Sequence, residues 1–243
     1  MNIALIGYGK MGKAIESIAL ERGHTIISTV NSDNPIESSD LSTADVAIEF
    51  TKPSLAVSHI HTCIENQIPV IVGTTGWLEE LNEVTAYVNS KNGSILHSSN
   101  FSIGVNIFFE VNKLLAKLMQ GQHEYTVQLT EIHHKEKLDA PSGTGITLAN
   151  DIIENNEDYS SWVLGREQPP HTAAGQIAVT AIREEGVPGT HTLKYVSDID
   201  SITIEHEAHN RKGFALGAVI AAEWLYGKTG VFTMKDVLNL SKK

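Results

Sequence analysis

The chain opens on a short run of apolar residues, positions 1–6, interrupted only by Asn2. A continuous apolar run of this length predicts a strand buried on both faces, as in a parallel sheet. From about Met11 to Arg22 the spacing becomes helical, with Ala14, Ile15, Ile18 and Ala19 on one face and Gly23 where a helix C-terminal glycine belongs. Positions 25–30 are again apolar and close a strand–helix–strand unit. The alternation continues, with strands predicted at 45–50, 68–73 and 94–97 and helices at 53–66 and 78–90. Strands alternating with helices predict an α/β, Rossmann-type, doubly wound parallel sheet, whose ligands sit at the carboxyl ends of the strands.

Beyond position 102 the pattern changes. Positions 105–119 predict a long helix with Phe108, Val111, Leu115 and Leu118 on one face. Alternating segments follow at 125–132, 177–184, 191–196 and 201–208, with one clear helix at 145–154 and an irregular stretch at 158–176. Strands that lack intervening crossovers predict a second, α+β domain with a mixed, largely antiparallel sheet. The apolar helix at 214–225 and a short one at 234–240 are expected to rejoin the first domain. The expected domains are thus 1–102 with 214–243, and 103–213.

The 243 residues are 41% hydrophobic and 19% charged, with a formal net charge of −11. That balance argues against a nucleic-acid partner, which wants a basic face, and against an anionic membrane surface. An anionic small ligand still fits, provided positive charge is focused locally. Cys63 is the single cysteine, so no internal disulfide forms and a cysteine-rich metal site is excluded. No apolar run approaches ~18 residues and no basic segment leads into an apolar stretch at the start, so the expected location is cytoplasmic.

Gly7-Tyr8-Gly9-Lys10-Met11-Gly12 places a G-x-G-x-x-G directly after a strand and at the start of a helix. Such glycines permit a tight turn and close approach of backbone to a pyrophosphate, and the helix N-terminus favours the phosphates. The acid expected about 20 residues further on, which would bond a ribose 2′-hydroxyl, is replaced by Asn31. Lys10 inside the loop is placed to neutralise a 2′-phosphate, or is a plain solvated lysine. The cofactor expected is NADPH, NADH or both.

A second cluster runs from Glu131 through His133, His134, Lys137 and Asp139 to Ser142, Gly143 and Thr144, at the end of a strand and the start of a helix. This is the chemistry of an anion site: hydroxyls, helix N–H groups and a fixed cation. His133 or His134 is placed to act as a general acid near neutral pH. Adjacent strand residues point to opposite faces, so one of the pair also reads as purely structural. The spacing is not H-E-x-x-H, and no metal site is expected here. Glu205, Glu207 and His209 alternate along another strand and read as exposed polarity.

With these residues the chain resembles the 4-hydroxy-tetrahydrodipicolinate (dihydrodipicolinate) reductases along essentially its whole length. The likeness rests on Gly7–Gly12, on Gly73-Thr74-Thr75-Gly76, on Asn100-Phe101-Ser102-Ile103-Gly104-Val105-Asn106, on Gly189-Thr190-His191-Thr192, and above all on the block from His133 to Thr144. The resemblance implies that positions 1–102 and 214–243 bind the dinucleotide and that 103–213 bind a dicarboxylate substrate and form a homotetramer. It implies His133 as proton donor, Lys137 as an aid to binding and catalysis, and His134, Ser142, Gly143 and Thr144 as substrate ligands. The cofactor set it implies is the glycine loop, Asn31, Phe50, Thr51, Gly73, Thr74, Thr75, Asn100 and Phe101, with positions 100–102 also the interdomain hinge. Two other readings stay open on the residues alone: another Rossmann oxidoreductase of two-domain plan, or a regulator that senses NAD(P)H without turnover. An aldehyde-acylating enzyme is excluded, because Cys63 lies mid-helix rather than at the nicotinamide.

Overall fold

The computed structural model describes residues 1–210 and 212–240. Positions 211 and 241–243, which belong to the expected segments 103–213 and 214–243, lie outside the described residues. The chain divides into two compact units, one of Met1–Ile103 with the chain from Lys212 onward, the other beginning at Gly104 and filling the interval between.

In the first unit β1 (Asn2–Ile6), β2 (Thr25–Val30), β3 (Val46–Glu49), β4 (Val70–Val72) and β5 (Ser94–His97) alternate with α1 (Lys10–Glu21), α2 (Pro53–Glu65) and α3 (Leu81–Ser90). All neighbouring strands pair parallel. The apolar runs are explained by burial on both faces. Ile3, Leu5 and Ile48 pack toward α1, while Ala4, Ile6 and Ala47 pack toward α2 and α3. Cys63 is fully buried inside α2, and burial, with the Glu49 charge behind it, pushes its thiol up to about 12. It serves as a small apolar residue.

The chain from Lys212 adds α6 (Lys212–Leu225), β11 (Gly230–Phe232) and α7 (Met234–Val237) to this unit. The sheet order is β11-β5-β4-β3-β1-β2. Small residues on α6, among them Ala215, Ala218 and Ala222, let it lie close against the sheet and α1. A Cβ at Gly217 would fall on the Phe101 carbonyl, so only glycine fits there. Arg22 clasps Glu223 of α6 through two hydrogen bonds of 2.8 and 2.7 Å. Strand β11 has only three residues, too few for a periodic signal.

In the second unit α4 (Ile103–Met119) precedes β6 (Thr126–His133), α5 (Gly143–Asn155), β7 (Ser161–Arg166), β8 (Gln176–Arg183), β9 (Gly189–Val196) and β10 (Ser201–Ala208). The sheet order is β10-β9-β6-β8-β7. It is mixed: β10–β9 and β9–β6 pair antiparallel, whereas β6–β8 and β8–β7 pair parallel. The parallel half exists because α5 carries the chain back before β7. That strand lies in the stretch whose sequence reads as irregular; it is half-buried and lacks an apolar alternation. The core joins Val127, Leu129, Val179 and Leu193 of the sheet to Phe108, Ala116, Leu148 and Ile152 of the helices. Among the described residues no helix is long and apolar enough to cross a membrane.

Candidate functional site

The carboxyl ends of β1, β2, β3 and β4 present the turns at Gly7, Asn31, Phe50 and Gly73 on one edge of the first sheet. Gly7 has φ +99°, and a Cβ on it would meet the Phe50 carbonyl. A Cβ on Gly12 would meet the Gly7 carbonyl, and one on Gly73 the Phe50 ring. Gly9 differs, because nothing stands within 4 Å of where its Cβ would be. Gly9 is also the N-cap of α1, with no side chain to cap the helix and no acid in the first turn. The N–H groups of that turn therefore meet open space and keep their positive character. That is a cradle a pyrophosphate fits.

Two cavities meet at this cradle, sharing Gly9, Phe50 and Thr51. One, of about 380 Å³, is lined by Lys10, Met11, Pro53, Gly73, Thr74 and Thr75. The other, of about 480 Å³, is lined by Gly7, Asn31, Ser32, Glu37, Lys52 and His59, among others. Thr51 joins them structurally. Its N–H donates to the Thr74 hydroxyl at 2.7 Å, and its own hydroxyl donates to the fully buried Glu49 carboxylate, beside His59. Lys10 and Asn31 thus line different cavities, and the cation that shares a cavity with Asn31 is Lys52. Asn31 shapes its own turn, with its Oδ1 accepting from the N–H groups of Asp33 at 2.8 Å and Asn34 at 2.9 Å.

Asn100 and Phe101 line neither cavity. Asn100 closes a turn through its Oδ1, which accepts the Ser102 N–H at 2.9 Å, and Phe101 is buried in the core of its unit, 5.7 Å from the Phe50 ring. Tyr8 likewise turns to Glu16 through its hydroxyl.

The second region lies at the ends of β6, β8 and β9 and the start of α5. Glu131 and His133 stand two residues apart on β6 and so share a face. Glu131 is fully buried. It accepts the Ser142 N–H at 3.0 and 2.9 Å and the Ser142 hydroxyl, and its Oε1 lies 3.3 Å from Arg183 Nη2. His133 Nδ1 lies 3.8 Å from Glu131 Oε1, and His191 Nε2 lies 3.8 Å from Oε2. The two imidazoles meet edge to face, with centroids 5.1 Å apart. Burial pushes His133 down to about 4, with Glu131 pulling the other way and Lys137 and Arg183 adding to the fall. Burial pushes His191 down to about 3, with His133 the next contributor.

Past His133 the chain turns through His134, whose carbonyl accepts the Lys137 N–H at 3.1 Å. Lys137 Nζ pairs with Asp139 at 2.9 Å. Arg183 ties down the same loop, donating to the carbonyls of Asp139 at 2.6 Å and Lys137 at 3.3 Å. Ser142 caps α5, its Oγ accepting the Gly145 N–H at 3.0 Å and lying 3.2 Å from His191 Nε2. The N–H and hydroxyl of Ser142 are thus engaged inside the protein. Gly143 and Thr144 occupy the first positions of α5, at the positive end of the helix dipole.

The sequence pattern did not single out Glu131, Arg183 or His191 as a group. The cue available was the acid two residues before the histidine pair. Glu131, His133 and His191 also bring potential metal ligands within 4.8 Å of one another. The Arg183 guanidinium already paired with Glu131 opposes a second cation there.

Sequence profiles of two families match: dihydrodipicolinate reductase, N-terminus, over residues 1–101, and dihydrodipicolinate reductase, C-terminus, over residues 104–238. A 4-hydroxy-tetrahydrodipicolinate reductase of Christiangramia forsetii is 49% identical over 241 residues, 98% of each chain. One of Neisseria meningitidis serogroup B is 34% identical over 208 residues, 84% of this chain and 76% of that one. Among solved structures, a dipicolinate-bound dihydrodipicolinate reductase from Paenisporosarcina sp. TG-14 superposes with a TM-score of 0.76 at 20% identity, covering 96% of this chain and 97% of that one.

The two buried imidazoles make stability depend on pH. An unfolded histidine takes up its proton near pH ~6.5. In the folded chain His133 waits until about 4 and His191 until about 3. Between these values the unfolded state binds more protons, so stability is complete above pH ~6.5 and falls as the pH drops toward 4. Thermal unfolding followed across that range should show the decline, and His191→Asn should flatten it. An unchanged slope in that variant would show that His191 is not held neutral.

Proposed function

This chain belongs to the dihydrodipicolinate reductase family, and we propose that its two regions divide the family's reaction, the cradle at Gly9 holding the dinucleotide and the β6–α5 region holding the substrate and its proton source. It is an NAD(P)H-dependent oxidoreductase that reduces 4-hydroxy-2,3,4,5-tetrahydrodipicolinate to tetrahydrodipicolinate in lysine and diaminopimelate formation. Loss of water from the 4-hydroxy compound leaves a ring with a conjugated C=C–C=N system. The bound reduced nicotinamide supplies a hydride to that system. The ring then carries enamine-like negative charge and needs one proton to complete the product.

The observation that carries the assignment of roles is the grouping of His133 and the first turn of α5 around one fully buried carboxylate, with Lys137 in the loop between them. His133 is the proton donor. Lys137, held near it on Asp139, supplies positive charge to a substrate carboxylate and to the ring as charge develops. The N–H groups at Gly143 and Thr144 receive a carboxylate, with Ser142 fixing their position. His134, one residue beyond the strand, completes the substrate contacts. On the other unit Thr51, Gly73, Thr74 and Thr75 meet the nicotinamide half of the dinucleotide, and Asn31 with Ser32 meets the adenosine half. The chain is proposed to act in the cytoplasm, in keeping with its single, buried cysteine.

The same reading includes a homotetramer. On α4, Ile107, Val111, Leu114 and Leu118 are exposed at helical spacing, a row that assembly would cover. Light scattering should give the mass of four chains, and a monomer at micromolar concentration would remove this part of the proposal.

Lys52 is expected to discriminate between the cofactors, because it shares a cavity with Asn31 and Ser32 whereas Lys10 does not. Lys52→Ala should weaken NADPH more than NADH in calorimetry, and Lys10→Ala should weaken both alike. A selective NADPH loss in Lys10→Ala instead would place the 2′-phosphate at the glycine loop.

The roles in the substrate region separate in steady-state kinetics. His133→Ala removes the proton source but few contacts, so turnover should fall about 10²–10⁴-fold with little change in KM. His134→Ala should mainly raise KM, and Lys137→Ala should do both. Near wild-type turnover in His133→Ala would mean that the proton comes from another group or from water.

A further inference from the structure

Glu131 is a charge with no access to water, and such a group is retained only when its surroundings answer it. The fold makes room for it deliberately. A Cβ on Gly145 would stand 2.6 Å from Glu131 Oε2, so the second residue after Gly143 in the helix must lack a side chain. Hydrogen bonds from Ser142 and the Arg183 guanidinium hold the carboxylate in place, and two imidazoles approach its two oxygens, each at 3.8 Å.

We propose that Glu131 is a positioning residue for the reduction, its carboxylate supplying the counter-charge that keeps a proton on His133 while the dianionic substrate is bound. The inference rests on His133 being the proton donor. The groups around His133 come from every neighbouring element. Glu131 stands on its own strand, Lys137 and Asp139 in the following loop, Ser142 at the start of α5, Arg183 at the end of β8, and His191 on β9, itself faced by His206 of β10. Without substrate, the ammonium of Lys137 and the guanidinium of Arg183 oppose a positive imidazole, and His133 is neutral at neutral pH. Two substrate carboxylates drawn to Lys137 and the α5 N-terminus cancel that opposition. Glu131 is then the protein's own anion within 4 Å of the His133 ring. A proton taken from solvent as substrate binds is thereby stored on the imidazole until the ring needs it.

The test is the pH dependence of turnover for wild type, Glu131→Gln, Glu131→Asp and His133→Ala, with NADPH affinity measured alongside. Glu131→Gln keeps an acceptor for the Ser142 N–H but no charge. Its kcat should fall about 10–100-fold near pH 8 and largely recover near pH 6, because the alkaline limb moves down by about 1–3 pH units. Glu131→Asp should keep the limb near its wild-type position, and NADPH affinity should not change. A loss that is equal at every pH, or no loss, would overturn the inference. A nuclear magnetic resonance titration of the His133 ring covers the case in which Glu131→Gln folds poorly: with dipicolinate as probe, the wild-type imidazole should titrate well above its ligand-free value, and an unshifted value would equally overturn it. If His133→Ala keeps full turnover, the role of His133 fails instead, and the ring titration still reports on Glu131 separately.

Discussion

A carboxylate sealed from water must be met by donors on every side, and the second unit is arranged around that demand. Glu131 takes both donors of Ser142, and in doing so fixes the first turn of α5 against the end of β6. It pairs with Arg183, whose remaining N–H groups hold the loop that carries Lys137 and Asp139. It admits His133 and His191 at its two oxygens and requires glycine at position 145. Remove the charge and each of these elements loses a fixed point at once. The site is therefore one hydrogen-bonded unit rather than a set of independent side chains, and its members should behave non-additively.

The first unit meets a different constraint, the approach of backbone to backbone. Gly7, Gly12 and Gly73 are glycines because the Phe50 carbonyl, the Gly7 carbonyl and the Phe50 ring occupy the space a Cβ would need. These contacts lock the turns at the strand ends. Of the four only Gly9 faces open space, and it is the N-cap of α1, where no side chain caps the helix. Packing thus explains Gly7 and Gly12 but not Gly9, a distinction the spacing G-x-G-x-x-G does not contain.

The parallel sheet was legible in the sequence because its strands are apolar on both faces and its helices on one. The strands of the second unit were legible where they alternate, as in β6 and β9, and invisible where they do not. Ser161–Arg166 forms a half-buried edge strand without alternation, and in the first unit Gly230–Phe232 is too short for any period. The histidine–lysine block stood out because its residue types are rare together. Arg183 and His191 did not, because they reach Glu131 only through strand pairing: Arg183 lies opposite His133 across β6–β8, and His191 opposite Glu131 across β6–β9. Such neighbours are a property of register, which no single segment encodes. The bond from Ser142 to Glu131 was hidden for the same reason, since its acceptor lies eleven residues earlier on the strand.

A chain of net charge −11 that reduces a dicarboxylate with a phosphorylated cofactor has to present positive charge without leaving it uncovered. Two cations of the substrate region come with their own internal anions, Lys137 with Asp139 and Arg183 with Glu131. The two pairs differ in burial. Asp139 is largely exposed, so exchanging it for another carboxylate changes little in solvation. Glu131 is fully buried and fixed by three hydrogen bonds from Ser142 and one from Arg183, so it stays. In the proposed roles the exposed anion would hold the place of a substrate carboxylate, and the buried one would set the field in which His133 works. Under those roles an anion with a single carboxylate would offer no second charge for the N-terminus of α5 once it had replaced Asp139, and the arrangement would favour a dicarboxylate over the more abundant monocarboxylates of a cell.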